Sequence, residues 1–149
     1  MLKKLWIIPV LFSCLFITAF KKDKTPADMV YPFLDSANSR WFFFSSASRP
    51  FGMVNLSPDM VLDGAWNSGY RYNENYIRCF SHVHAWQMSG IPVMPTTGDF
   101  KGQLGPDAYK SAYSHDSEVA KPGYHKVVLD DYKITAELTS TTRVGFHKY

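Results

Sequence analysis

The chain is poor in the residues that staple or heavily charge a small protein. Two of its 149 residues are cysteine, too few for a disulfide framework, so a buried core must supply its stability. Charged residues make up 19% of the sequence, below the usual quarter or so. The net charge of +3 comes without any Lys/Arg stripe, which excludes a nucleic-acid footprint. Beyond Val30 there is no low-complexity segment and no internal repeat. Apolar residues nowhere sustain the i, i+3, i+4, i+7 spacing of a long amphipathic helix. Familiar catalytic signatures are missing too: no Gly-x-Ser-x-Gly elbow, no phosphate-cradling glycine loop and no Cys-x-x-Cys pair. Asp59, Asp99 and Glu118 stand as lone carboxylates, with nothing in the sequence pairing them as acid and base.

Aromatic residues are what the chain has in surplus. Phe, Tyr and Trp together reach 16%, which suits a β-rich core or a flat ligand platform. The length allows one domain. Short apolar stretches bounded by Gly, Pro, Asn or Asp predict strands at Phe51–Leu56, Tyr76–His84 and Ile91–Met94. Tyr124–Leu129, the turn Asp130-Asp131 and Tyr132–Thr139 predict a hairpin. In its second arm Ile134, Ala136 and Leu138 alternate with Thr135, Glu137 and Thr139, the period of a half-buried strand. Another strand begins within Arg143–Tyr149. The expected class is all-β, an antiparallel β-sandwich. Because the sequence stops inside an expected strand, that sandwich is expected to be incomplete at its C-terminus.

Residues 1–20 read as an export signal. Lys3 and Lys4 precede an apolar run from Leu5 to Ala19, and Lys21 ends it. A run of that length matches a signal core better than a span of about 20 residues, with an uncleaved anchor as the alternative. Leu11-Phe12-Ser13-Cys14 also resembles a bacterial lipobox, which makes Cys14 a candidate lipid anchor; Ala19 offers a competing cleavage site. Cleavage after Phe20 leaves 129 residues and lowers the net charge to +1, favouring an uncharged partner. Residues 21–29 form a charged, proline-containing tether, and residues 30–149 form the domain. The expected location is exported: periplasm, outer membrane or extracellular space.

Three segments carry candidate chemistry. Arg40-Trp41-Phe42-Phe43-Phe44 suits a buried anchor or a sugar-stacking surface. On a strand, Ser81-His82-Val83-His84-Ala85-Trp86 would turn both imidazoles to one face, to hydrogen-bond hydroxyls or to hold a metal; no third ligand lies at a sensible spacing. Asp63-Gly64-Ala65-Trp66-Asn67-Ser68-Gly69-Tyr70 frames a tryptophan with amide and hydroxyl groups, either a turn with a packed ring or a carbohydrate contact.

A family resemblance runs through the same stretches. Pro50-Phe51-Gly52-Met53-Val54-Asn55-Leu56-Ser57-Pro58-Asp59 resembles a signature of glycoside hydrolase family 92, the exo-acting α-mannosidases. Gly69-Tyr70-Arg71-Tyr72, Phe80-Ser81-His82-Val83-His84, Met94-Pro95-Thr96-Thr97-Gly98 and the segment Ser114-His115-Asp116-Ser117-Glu118 through Gly123-Tyr124 follow in the family's order. Ala136-Glu137-Leu138-Thr139 and Thr142-Arg143-Val144-Gly145 complete the run.

The resemblance implies an N-terminal β-sandwich ahead of a larger (α/α) helical-barrel domain. It implies calcium-dependent, inverting hydrolysis of terminal α-mannosides, as in N-glycan degradation, at the cleft between the two. Both catalytic carboxylates and the calcium ligands would come from the helical domain, so no catalytic residue is assigned here. A mannose-containing glycan and that helical domain are the implied partners. Asp59, Trp66, His82, His84 and Trp86 are the implied sugar contacts, with Arg49 a further one. Two departures, Ala85–Val93 and Ser39–Ser48 in place of glycine-rich stretches, fall beside the expected cleft. Alternative roles are a free-standing carbohydrate-binding module, or a domain that docks to a separately encoded catalytic partner.

Overall fold

A computed structural model describes residues 23–37, 46–62, 68–84, 88–89 and 91–149. The signal segment, the aromatic run Trp41–Phe44 and both Trp66 and Trp86 lie outside the described residues. Strands β1 (Ala47–Ser48), β2 (Asn55–Asp59), β3 (Tyr76–Ile77), β4 (Cys79–Ser81), β5 (Val83–His84) and β6 (Met88–Ser89) come first. A one-turn helix, α1 (Pro106–Tyr109), precedes β7 (Ser111–Ala112), β8 (Val119–Lys121), β9 (Tyr124–Leu129), β10 (Ile134–Ser140) and β11 (Gly145–Lys148). Among the described residues every strand pairing is antiparallel. The order β1-β2-β4 makes one sheet and β11-β10-β9-β8 the other, with β3-β7 and β5-β6 as two-stranded ribbons. The all-β antiparallel class expected from the sequence is the one observed.

The two sheets share one core. β1 and β2 lie against β10, and Leu56, Met60, Ile77 and Phe80 meet Val127, Leu129, Ala136 and Leu138 with almost no surface left exposed. Complete burial of one such side chain contributes about 1.5–3 kcal/mol. The alternation expected in β10 holds, with Ala136 and Leu138 buried and Thr135 and Thr139 exposed. Across the ladder Val127 faces Ala136 and His125 faces Leu138, so an imidazole occupies a place on the core face.

Other boundaries move for physical reasons. β2 runs on through Ser57-Pro58-Asp59, past the Leu56 end expected from the sequence. Pro58 sits opposite Phe80, whose own N–H and carbonyl pair with Val93 instead, so that ladder loses no bond to the missing proline N–H. The stretch Tyr76–His84 breaks into three short strands because Arg78 turns its N–H to the Asp59 carbonyl and a bend falls at His82. Ile91–Met94 is reduced to one bridge, Val93 to Phe80. Tyr132 belongs to the turn: the β9–β10 loop spans Asp130–Lys133 and closes with Lys133 at φ 57°. The last strand starts at Gly145, after a turn that Thr141 ties to Val144.

Gly145 lies against the His82 ring. A Cβ there would come within 2.6 Å of His82 Cδ2 and 3.3 Å of Leu56 Cδ2. Gly145→Ala is therefore expected to cost about 1–3 kcal/mol in urea unfolding. Most of that cost should vanish in a His82→Ala background; an equal cost in both backgrounds would show that the contact is not the cause.

Candidate functional site

Two buried carboxylate–histidine knots hold the sheets behind a surface cleft. The first is built on Asp59, the last residue of β2. Its side chain is 0% exposed, and a buried carboxylate is tolerated only where donors surround it. Ser81 Oγ donates to Oδ2 at 2.5 Å, and Cys79 Sγ lies 3.7 Å from the same oxygen. His84 Nε2 stands 2.6 Å from Oδ1, while its Nδ1 donates to the Asn55 carbonyl at 2.6 Å. Serine, histidine and aspartate thus meet, but not as a nucleophilic triad. Ser81 Oγ and the carboxylate both approach Nε2, whereas a proton relay needs them on opposite ring nitrogens. Burial, and then the Asp59 charge beside it, push the Cys79 thiol far above its ordinary range, so it stays neutral and unreactive. The group is a brace across β2, β4 and β5.

The second knot centres on Glu118, whose side chain is 1% exposed. Tyr70 OH donates to both oxygens at 2.9 and 3.0 Å. His125 Nε2 lies 2.8 Å from Oε1 and His115 Nδ1 lies 2.5 Å from Oε2. His115 Nε2 donates to the Tyr72 carbonyl at 2.8 Å, and its ring stacks on Tyr72 with 3.9 Å between centroids. Burial alone would raise the Glu118 carboxyl. The hydrogen bond and charge of His125, then the bonds from His115 and Tyr70, outweigh it and hold the group below its usual range. Read as lone in the sequence, Glu118 accepts from three side chains in the structure. The signal available was the three-residue spacing of His115 and Glu118, which a helical turn, here His115–Ser117, brings together.

In front of these knots lies an open cleft of about 500 Å³ lined by Val30, Pro32, Ser48, Arg49, Phe51 and Asn55, with Pro122 at its side. The loop Arg49–Met53 forms its lip. Gly52 N–H closes a turn onto the Arg49 carbonyl at 2.9 Å, and Met53 N–H reaches the Thr142 carbonyl at 2.7 Å. Phe51 adopts φ 60° and its ring is fully exposed. A non-glycine residue there stores roughly 1–2 kcal/mol of strain, which this anchored loop spends on displaying an aromatic face to solvent. Opposite, Pro122 opens the β8–β9 turn and Gly123 follows at φ 79°, the pattern of a type II turn. Ser46 fastens β1 to that hairpin, donating to the Tyr124 carbonyl at 2.7 Å. A flat ring beside a guanidinium, hydroxyls and an amide suits a neutral, hydroxyl-rich ligand.

Of the residues singled out from sequence, Arg49 alone lines this cleft among those described. Asp59 and His84 are joined to each other in the interior, one step behind it. His82 does not share a face with His84: the bend between β4 and β5 separates the imidazoles. The His82 ring turns to β11, where its Nε2 lies 2.9 Å from His147 Nε2. Burial and the neighbouring His82 hold the His147 imidazole below its ordinary range. Trp66 and Trp86 lie outside the described residues. Phe51, a motif residue not picked as a contact, is the most exposed aromatic ring on the cleft's lip. Among the described residues no group of three or more His, Cys, Asp or Glu is placed to hold a metal, so calcium has no fitting ligand set there.

The N-terminal-domain model of glycosyl hydrolase family 92 matches residues 29–149. Similar solved structures include an α-mannosidase of family GH92 from Bacteroides thetaiotaomicron, alone and in complex with mannoimidazole. Each is 36% identical with a TM-score of 0.66, over 81% of this chain and 17–18% of that one. The glycosyl hydrolase ccman5 is 27% identical with a TM-score of 0.66, over 81% of this chain and 18% of its own. This chain thus spans less than a fifth of the length of these structures. No curated protein matches it.

Glutamine at position 118 removes the charge and sets an NH2 donor against the donors that now face one of the two oxygens. Glu118→Gln is expected to lower unfolding stability by about 3–5 kcal/mol. Because the folded carboxyl titrates below its ordinary value of 4.5, its contribution is complete above that pH and drains away as pH falls through the folded value. Urea midpoints measured from pH 6 to 3 should drop more steeply in the parent chain than in Glu118→Gln; parallel curves would contradict this.

Proposed function

Since the chain belongs to glycosyl hydrolase family 92, whose N-terminal domain spans residues 29–149, we propose that it supplies the β-sandwich wall of the sugar cleft in an exo-acting α-mannosidase. The observation that carries this reading is the anchored lip itself, with Phe51 and Arg49 displayed over an open cleft. A relative 36% identical over most of the chain was solved with mannoimidazole, which supports a mannose-like ligand for it.

The proposed division of labour follows from what this wall holds. Phe51 offers an apolar face to the C–H side of a sugar ring, and the Arg49 guanidinium, with Ser48 and Asn55, offers donors to its hydroxyls. Trp66 and Trp86 are proposed as further sugar contacts. Asp59 and His84 act from behind, fixing the strand from which Asn55 projects. The reaction proposed for the whole enzyme is calcium-dependent and inverting. One carboxyl protonates the leaving oxygen and a second, about 6.5–9.5 Å away, activates water on the opposite face. Those carboxyls and the calcium ligands are proposed to come from a larger helical domain, so these 149 residues alone grip sugar without cleaving it. Export by the leader at residues 1–20, with Cys14 as the proposed lipid attachment, would place the enzyme where glycans are met.

The isolated chain is expected to release no mannose from α-mannobiose, with or without calcium. Release that chelation abolishes would overturn the division of labour. α-Mannobiose titrated to high millimolar concentration should shift the amide resonances of Arg49–Met53. Phe51→Ala should weaken that binding by about 1 kcal/mol, or roughly fivefold in Kd. A flat titration would remove the sugar-wall reading.

A further inference from the structure

We propose that His82 and His147 form a two-imidazole site for a copper(II)-type transition metal, separate from the sugar cleft. The two Nε2 atoms lie 2.9 Å apart with the rings tilted by 39°. His147 Nδ1 lies 2.7 Å from Tyr149 OH, an oxygen placed to accept its proton. That arrangement directs the Nε2 lone pair toward His82, which in the metal-free chain donates its own Nε2–H. A ligating histidine is usually oriented by just such an oxygen on its other nitrogen. Gly145 completes the cradle by leaving space where a Cβ would strike the His82 ring.

On losing the His82 Nε2–H, small rotations of both rings would turn their Nε2 lone pairs from this hydrogen bond onto one ion, and the nitrogen separation then favours one class of metal. With metal–nitrogen bonds of about 2.0–2.1 Å, two nitrogens 2.9 Å apart subtend about 90° at the metal. That is the cis angle of tetragonal copper(II) or nickel(II); a tetrahedral zinc(II) angle would hold the nitrogens about 3.3 Å apart. Water completes the coordination, since His147 is only half-buried and β11 is the outer strand of its sheet. The three remaining histidines do not compete. His84 and His125 are buried against Asp59 and Glu118, and both ring nitrogens of His115 already face oxygen acceptors.

The test is CuCl2 titrated into the folded chain at neutral pH, followed by tryptophan quenching and electron paramagnetic resonance. One copper(II) per chain, with a micromolar-order Kd and hyperfine structure from two nitrogens, is expected, and ZnCl2 should bind about tenfold or more weakly. His82→Gln and His147→Gln should each weaken copper binding about tenfold or more. Should either variant fail to fold, copper(II) broadening of proton resonances in the parent chain decides: the His82 and His147 ring signals must broaden before those of His84, His115 and His125. Binding that does not saturate below millimolar copper, equal affinity in folded variants, zinc as tight as copper, or broadening that begins elsewhere would each overturn the proposal.

Discussion

A carboxylate sealed from water can persist only if donors replace every lost hydration bond, and the packing around Glu118 is organised by that demand. Its acceptors draw Tyr70, His115 and His125 to one point from three separated parts of the chain. His125 is carried on the core face of β9, next to Val127 and opposite Leu138. Phe33 stacks over Tyr70 and meets His125 edge-on, 5.7 and 6.3 Å away between centroids. The aromatic surplus of the sequence therefore serves the interior as a low-dielectric jacket, which strengthens each bond it encloses and raises the penalty for losing one. Asp59 repeats the device on the other sheet with shorter reach, using Ser81 and His84 from adjoining strands.

Legibility in the sequence followed the range of the interaction concerned. Alternation in Ile134–Thr139 is a property of neighbours, so β10 could be read directly. Pro58 could not, because whether a proline stops a strand depends on which groups its partner offers, and Phe80 turns its own to Val93. His82 and His84 looked co-facial on the assumption of an unbroken strand, and one bend sent them to different clusters. Glu118 looked isolated because Tyr70 and His125 lie 48 and 7 residues away along the chain. Family motifs compensated for part of this. They carried the family and the strand class, but the one contact drawn from the Pro50–Asp59 signature was Asp59, which lies in the interior, and Phe51 on the lip was passed over.

Cleft and knots are mechanically continuous. Asn55 lines the opening, and its carbonyl is the acceptor for His84 of the Asp59 brace. Ser46 closes the other side onto the hairpin that carries His125. Surface loops that must present a side chain accurately are best fixed to rigid elements, and here the fixing points are the strands that the two buried acids hold in register. Sequence change in the lip alters which groups are displayed, whereas change in the acids acts on whether the lip is held at all.

Cys79 gives this architecture a built-in clock. Its thiol is sealed under β4 and held neutral by burial and by Asp59, so an alkylating reagent can reach it only when the β2–β4 ladder parts. The rate of its labelling is then set by how often the sheet breathes, and not by the chemistry of the sulfur. A single buried atom thereby records the opening frequency of the ladder that carries Asp59.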